Sequence, residues 1–166
     1  MTLPRLECGF DPHYLLHFRE GDTLKTLFID MDNTLAENQT PENAPFIEGL
    51  YANKRPLRIV INAIRYLYPD YRFVIVSKVV GGSAGKSEKI EWLNKYFPYA
   101  SEIILLNPED MKSSYINNYI VTHELTVGDC VIIDDNKQIL QNCLRLGLTV
   151  KYPQQIICDY EEVTRS

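Results

Sequence analysis

The sequence has little of what would mark a specialised class. It has no apolar run approaching the roughly 20 residues needed to span a bilayer. Its start, MTLPRLECGF, lacks the basic residues and apolar core of a signal peptide. A cytoplasmic protein without a membrane partner is therefore expected. No CxxC pair occurs among the four cysteines (Cys8, Cys130, Cys143, Cys158), and no histidine stands at zinc-finger spacing, so they read as free thiols in a reducing compartment. Basic residues are in deficit, 17 Lys and Arg against 22 Asp and Glu, for a net charge of −5. A DNA or RNA polymer calls for a basic face, so no such partner is expected, whereas a small phosphorylated ligand stays open. Repeats, low-complexity tracts and linker-like runs are also missing. What is present is ordinary globular composition, 45% apolar and 23% charged over 166 residues, enough for one domain to bury roughly 70% of its unfolded surface.

Short apolar runs alternate with longer helical patterns. Thr26–Ile29, Phe73–Val76, Glu102–Leu105, Cys130–Ile133 and Leu148–Lys151 are rich in β-branched or aromatic residues and read as buried strands. Pro56–Tyr68, Ser87–Tyr96 and Asn136–Leu146 carry apolar residues at helical spacing, with Gly147 placed to cap the last. This alternation predicts an α/β fold with a doubly wound parallel sheet, whose ligand sits beyond the carboxyl ends of the strands. Two segments fall outside the rhythm. Tyr14–Phe18, followed by Glu20-Gly21-Asp22, is a candidate hairpin with the first strand. Residues 36–55 are polar and turn-rich and read as a small cap insertion within a single domain spanning 1–166.

The residues that follow the strands carry the chemistry. The first strand ends in Asp30-Met31-Asp32-Asn33-Thr34, and the fourth ends in Asp134-Asp135-Asn136. Either acidic pair alone could be a turn or a helix cap. Together, on one edge of a parallel sheet, they would repel each other unless a hard divalent cation such as Mg²⁺ were bound by their oxygens. Ser77, after the second strand, and Lys112, in a polar loop after the third, could bind phosphate oxygens. Gly81–Lys86 lacks P-loop spacing and reads as a flexible loop beside the site, with Lys86 or Lys89 as further candidates near the phosphate. Trp92 reads as core packing, and Asp129 as lying at the wrong end of its strand to be a ligand.

In order and placement these motifs resemble those of the haloacid dehalogenase-like superfamily: DxDx[TV], Ser/Thr, Lys and an acidic pair. Gly49-Leu50-Tyr51, Tyr71–Ser77, Glu88–Leu93 and Ile103–Leu105 follow the layout of its 5′(3′)-deoxyribonucleotidase (type C 5′-nucleotidase) family. The sequence departs from that family at Gly49-Leu50-Tyr51, Val76-Ser77-Lys78 and Asp134-Asp135-Asn136. The resemblance implies a Rossmann-like three-layer fold and an Mg²⁺-dependent phosphomonoesterase acting on nucleoside monophosphates. Asp30 would be the nucleophile and Asp32 the general acid and base. Thr34, Ser77 and Lys112 would hold the phosphoryl group. Asp30, Asp32 (through its carbonyl), Asp134 and Asp135 would hold the metal, with Asp135 favoured for direct contact. Phe46 and Tyr51 are the aromatic residues the insertion offers to a base. The alternatives are a phosphatase for another small phosphorylated metabolite and a catalytically silent binding protein of the same fold. A signalling receiver domain has its acidic pair first, and the motif order here argues against that reading.

Overall fold

The computed structural model describes residues 25–37 and 45–166. Five parallel strands, β1 (Thr26–Ile29), β2 (Arg72–Lys78), β3 (Glu102–Leu106), β4 (Cys130–Ile133) and β5 (Thr149–Lys151), form one sheet in the order β3-β2-β1-β4-β5. β1 is flanked by β2 in register Thr26↔Arg72 and by β4 in register Thr26↔Cys130. Successive side chains of a strand point to opposite faces, and this divides the core in two. Leu27 and Ile29 join α1 (Arg58–Leu67), α2 (Gly82–Tyr96) and α5 (Pro153–Arg165) on one face. Phe28 joins α3 (Lys112–Thr122) and α4 (Lys137–Arg145) on the other. The chain winds from β1 out to β3 and then crosses back to β4, so the strand order reverses between β1 and β4. Ligands of such sheets bind at that point.

Of the five expected strands, β1 and β4 lie where their sequence patterns place them, and the other three shift by a residue or two at their ends. Two helices depart from expectation. Lys112 is not in a loop; it is the first residue of α3. Gly82–Lys86 is not a flexible loop either, because α2 begins at Gly82, after a left-handed Gly81 (φ +87°). Within α2, Ile90 is exposed and the inward positions go to Lys89, Trp92 and Leu93. α5, which opens on Pro153 and packs over α1, is not anticipated by the sequence pattern. Gly147 does terminate α4 in the left-handed region (φ +92°). The candidate hairpin at Tyr14–Phe18 lies outside the described residues, as do residues 38–44 of the expected insertion. Among the described residues no helix is long and apolar enough to cross a membrane.

Candidate active site

β1 delivers Asp30 to the edge of the sheet, and its backbone N–H extends the ladder to Ile133 (3.0 Å). The chain then turns sharply, with the Met31 carbonyl accepting from the N–H groups of Thr34, Leu35 and Ala36 (3.3, 2.9 and 2.9 Å). Asn33 takes the left-handed conformation this turn needs (φ +56°), one that Asn tolerates better than most residues, and its side chain donates to Asp135 Oδ2 (3.0 Å). From the neighbouring strand, Asp134 follows β4 and is 1% exposed. One oxygen each of Asp30, Asp134 and Asp135 falls within 4.8 Å of the others.

Lys112 is set between the two strand ends. Its Nζ donates to Asp30 Oδ1 and Asp134 Oδ2, both at 2.7 Å, and its side chain is 3% exposed. Burial alone would favour the neutral amine, but the charges of Asp30 and Asp134 raise its pKa and keep it an ammonium. One ammonium does not neutralise two carboxylates. Burial and the charge of Asp30 outweigh Lys112 and push Asp134 up to about 7, and burial also raises Asp135. The cluster is thus short of positive charge, and its donors are hard oxygens. A divalent cation of the Mg²⁺ type fits both facts. Asp134 has both oxygens engaged, Oδ2 by Lys112 and Oδ1 by the Asn136 N–H (2.8 Å). Asp30 Oδ2 has no partner among the described residues.

Asp32 is turned away from this cluster and has its own cations. Lys89 Nζ meets its Oδ2 at 2.5 Å and Lys54 Nζ its Oδ1 at 2.6 Å. Burial would raise the Asp32 pKa, but the two ammonium charges prevail and hold it below the ordinary carboxylate range. Lys89 is fully buried and also donates to Ser77 Oγ (2.8 Å) and to the Lys78 carbonyl. Desolvation lowers its pKa against the pull of Asp32 and Asp30. An ammonium can only donate, so Ser77 Oγ accepts from Lys89 and its own hydrogen is directed elsewhere. Thr34 is fully buried and its Oγ1 has no partner among the described residues.

Residues 45–55 are bound to α2 by side chains. Glu88 accepts from the backbone N–H groups of Gly49 (2.7 Å) and Tyr51 (3.0 Å). Those bonds hold its carboxyl below the usual value despite the opposing cost of desolvation. Trp92 Nε1 donates to the Lys54 carbonyl (2.8 Å), and the Tyr51 hydroxyl accepts from Val80 N–H (2.9 Å). Phe46 lies so close to Gly81 that a Cβ there would meet its ring at 2.3 Å.

The structure brings Asp30, Asp134, Asp135 and Lys112 together, and sets Asp32 and Ser77 around Lys89. Lys86 is exposed at the start of α2, and Asp129 lies outside the carboxylate cluster. Tyr51 is 4% exposed, and its hydroxyl joins the insertion to the body. Phe46 is occupied against Gly81 and Tyr51. Sequence reasoning gives no role to Lys54 or Glu88; the signal for Lys54 is its place in the polar insertion, and that for Glu88 its place in the Glu88–Leu93 run.

No family model and no curated protein matches the sequence. Solved structures do. A haloacid dehalogenase-like hydrolase from Streptococcus pneumoniae superposes with a TM-score of 0.56 at 14% identity, covering 83% of this chain and 91% of that one. The fold is haloacid dehalogenase-like. Another hydrolase of that kind, from Xanthomonas campestris, matches with a TM-score of 0.58 at 14% identity, over 81% of this chain and 83% of its own. The chain also superposes on a D,D-heptose 1,7-bisphosphate phosphatase from B. bronchiseptica, solved with magnesium and phosphate. Its TM-score is 0.59 at 14% identity, covering 76% of this chain and 79% of that one.

Proposed function

We propose that the protein is a Mg²⁺-dependent phosphomonoesterase of the haloacid dehalogenase-like superfamily, acting on a small phosphorylated metabolite through an aspartyl-phosphate. One observation carries this reading: Asp30 is held by Lys112 through one oxygen while its other oxygen has no partner among the described residues, at the point where three carboxylates converge. Asp30 Oδ2 attacks phosphorus, the ester bond breaks, and the phosphoryl group moves to Asp30. Asp32 acts in its protonated form, which the two ammonium groups disfavour in the unliganded site: it gives that proton to the departing alkoxide and later takes one from the water that cleaves the aspartyl-phosphate. Ser77, with its hydrogen directed away from Lys89, Thr34, with its unpartnered buried hydroxyl, and Lys112 hold the phosphoryl oxygens. Asp30, Asp135 and the Asp32 carbonyl would hold the metal, and Asp134 supports it, since its oxygens are engaged by Lys112 and the Asn136 N–H. The metal supplies charge neutralisation at the transferring phosphoryl group. Residues 45–55, the described part of the expected insertion at 36–55 within a single domain, would wall the leaving-group side.

A nucleoside monophosphate is the substrate the sequence resemblance implies. The occupied rings of Tyr51 and Phe46 give that choice no support, so the substrate class is left at a small phosphomonoester. Hydrolysis of p-nitrophenyl phosphate with Mg²⁺, with EDTA, and by Asp30→Asn tests the mechanism. Activity lost in both controls is the expected result, and activity indifferent to both would refute it. A panel of nucleoside 5′- and 3′-monophosphates beside sugar phosphates tests the substrate.

A further inference from the structure

We infer that the protein has a second ligand site, a small cavity between α1 and the end of α2 that binds a compact organic dianion. Two arginines hold the charged ends of that ligand, which are phosphoryl or carboxylate groups. The cavity has a volume of about 200 Å³. Pro56, Arg58, Asn62 and Arg65 form one wall, and Tyr96 and Tyr99 face them. It shares no residue with the carboxylate cluster or with the ion pairs of Asp32. The inference therefore stands apart from the phosphatase reading and does not depend on it.

Helix geometry builds the lining. Arg58, Asn62 and Arg65 stand at i, i+4 and i+7 in α1, which places them on one face. At 1.5 Å of rise per residue the two arginine Cα atoms are about 10.5 Å apart along the axis. Both arginines are exposed, and neither guanidinium has a hydrogen-bond or ion-pair partner among the described residues. Arg65 is nonetheless ordered, because its guanidinium sits over the Tyr99 ring, 4.0 Å from the centre. That contact restrains the side chain without giving any of its N–H groups an acceptor oxygen. The Asn62 amide and the hydroxyls of Tyr96 and Tyr99 are likewise without partners among the described residues.

Charge and size set the ligand class. The chain carries a net −5, yet two arginines and no Asp or Glu line this cavity. Its complement is an anion rich in acceptor oxygens, and the arginine fork matches a carboxylate or a phosphoryl group with two parallel bonds. Two forks set apart along one helix favour a ligand charged at both ends over one charged at a single end. Ile61 and the tyrosine rings give the middle of the cavity apolar surface for a short carbon chain. At about 30 Å³ per water the volume equals about seven waters, enough for a few carbons between two anionic groups and too little for a nucleotide. No carboxylate, cysteine or histidine lines the cavity, so its occupant is held there and not transformed.

The test is calorimetric titration of the full chain in EDTA with two probes charged at both ends, glutarate and propane-1,3-bisphosphonate. Their counterparts charged at one end are valerate and propylphosphonate. At least one double-ended probe is expected to bind at a single site, at least about tenfold more tightly than its counterpart. Whichever of the two binds more tightly assigns the ends as carboxylate or phosphoryl. Arg58→Gln and Arg65→Gln should each weaken that binding by about tenfold or more. Both positions are exposed, so the fold should persist, and circular dichroism of each variant checks this. Three results would overturn the inference: no saturable binding of either probe, equal binding of single-ended and double-ended members, or an affinity unchanged in both arginine variants. The last would place the anion elsewhere on the protein. None of them bears on hydrolysis of p-nitrophenyl phosphate, which tests the phosphatase reading separately.

Discussion

Lys112 shows what a single side chain does here. Its ammonium is bonded to both Asp30 and Asp134. Removing one partner of a buried pair costs about 3–5 kcal/mol, because the remaining charge keeps its desolvation without its compensation. Lys112→Met should therefore lower stability by about that amount in EDTA, and Mg²⁺ should restore part of it; thermal melts with and without the ion measure both. Cys130 and Cys143 give a pH effect of definite sign. Burial, helped by Asp129 and Asp134 respectively, pushes both thiols up to about 11. The unfolded chain releases these protons near pH 8.5, so between about pH 9 and 11 the folded state binds more protons than the unfolded one. Stability should fall as pH rises through that window. Urea midpoints at pH 8.5 and 10.5 check this, and Cys130→Ser/Cys143→Ser should show a smaller difference. At this scale the motif residues were legible, because Asp30, Asp32, Ser77, Lys112, Asp134 and Asp135 each adjoin a strand end or helix start. Lys89 was only one of two candidates and Lys54 was not found. A lysine in a charged run such as SEKIEWLNK looks solvated until the fold turns it inward.

Among elements, the segment from Gly49 to Lys54 is tied to α2 by hydrogen bonds from Glu88 and Trp92. Glu88 accepts two of its backbone N–H groups, so Glu88→Ala should leave Gly49 and Tyr51 without those bonds. Their amide exchange should speed up well before global unfolding, at a local cost of about 1–3 kcal/mol. kcat/KM should fall with it, since Lys54 follows the segment. Unchanged exchange at both amides would show that Glu88 does not hold the turn. The elements themselves were unequally legible. β1 (Thr-Leu-Phe-Ile) and β4 (Cys-Val-Ile-Ile) are short runs rich in β-branched and aromatic residues, which favours strands. α3 was hidden because Lys-Ser-Ser-Tyr-Ile-Asn-Asn mixes weak helix formers without a clear apolar stripe. α2 seemed to start late because glycines open it, and Gly85 is needed there: a Cβ would meet the Val80 carbonyl oxygen at 1.9 Å.

For the molecule as a whole, β1 is the middle strand of the five and, like its neighbours β2 and β4, sends side chains into both cores. Phe28 is buried against Tyr119 on one face (ring centroids 5.5 Å apart), while Leu27 and Ile29 pack on the other. Phe28→Ala should cost about 3–5 kcal/mol. The loss should lower the unfolding midpoint of helices on both faces in one transition, followed by far-UV circular dichroism and by exchange of α1 and α4 amides. Separate transitions for the two faces would show that the sheet does not bind them into one unit. The overall architecture was legible from the strand–helix alternation, since parallel strands need crossovers and these have one hand. The reversal between β1 and β4 was not, because strand order depends on long-range pairing that no local pattern encodes.

Trp92 is the only tryptophan in the chain; it is 2% exposed, and its indole N–H rests on the carbonyl of Lys54. The protein therefore carries its own optical gauge. While the insertion is seated, the indole is shielded from water and emits toward the blue. If the Lys54 carbonyl lifts away, solvent reaches the ring and the emission moves to the red. Whether the substrate-side wall is in place can thus be followed by native fluorescence, without a label and in the same cuvette as the hydrolysis it shapes.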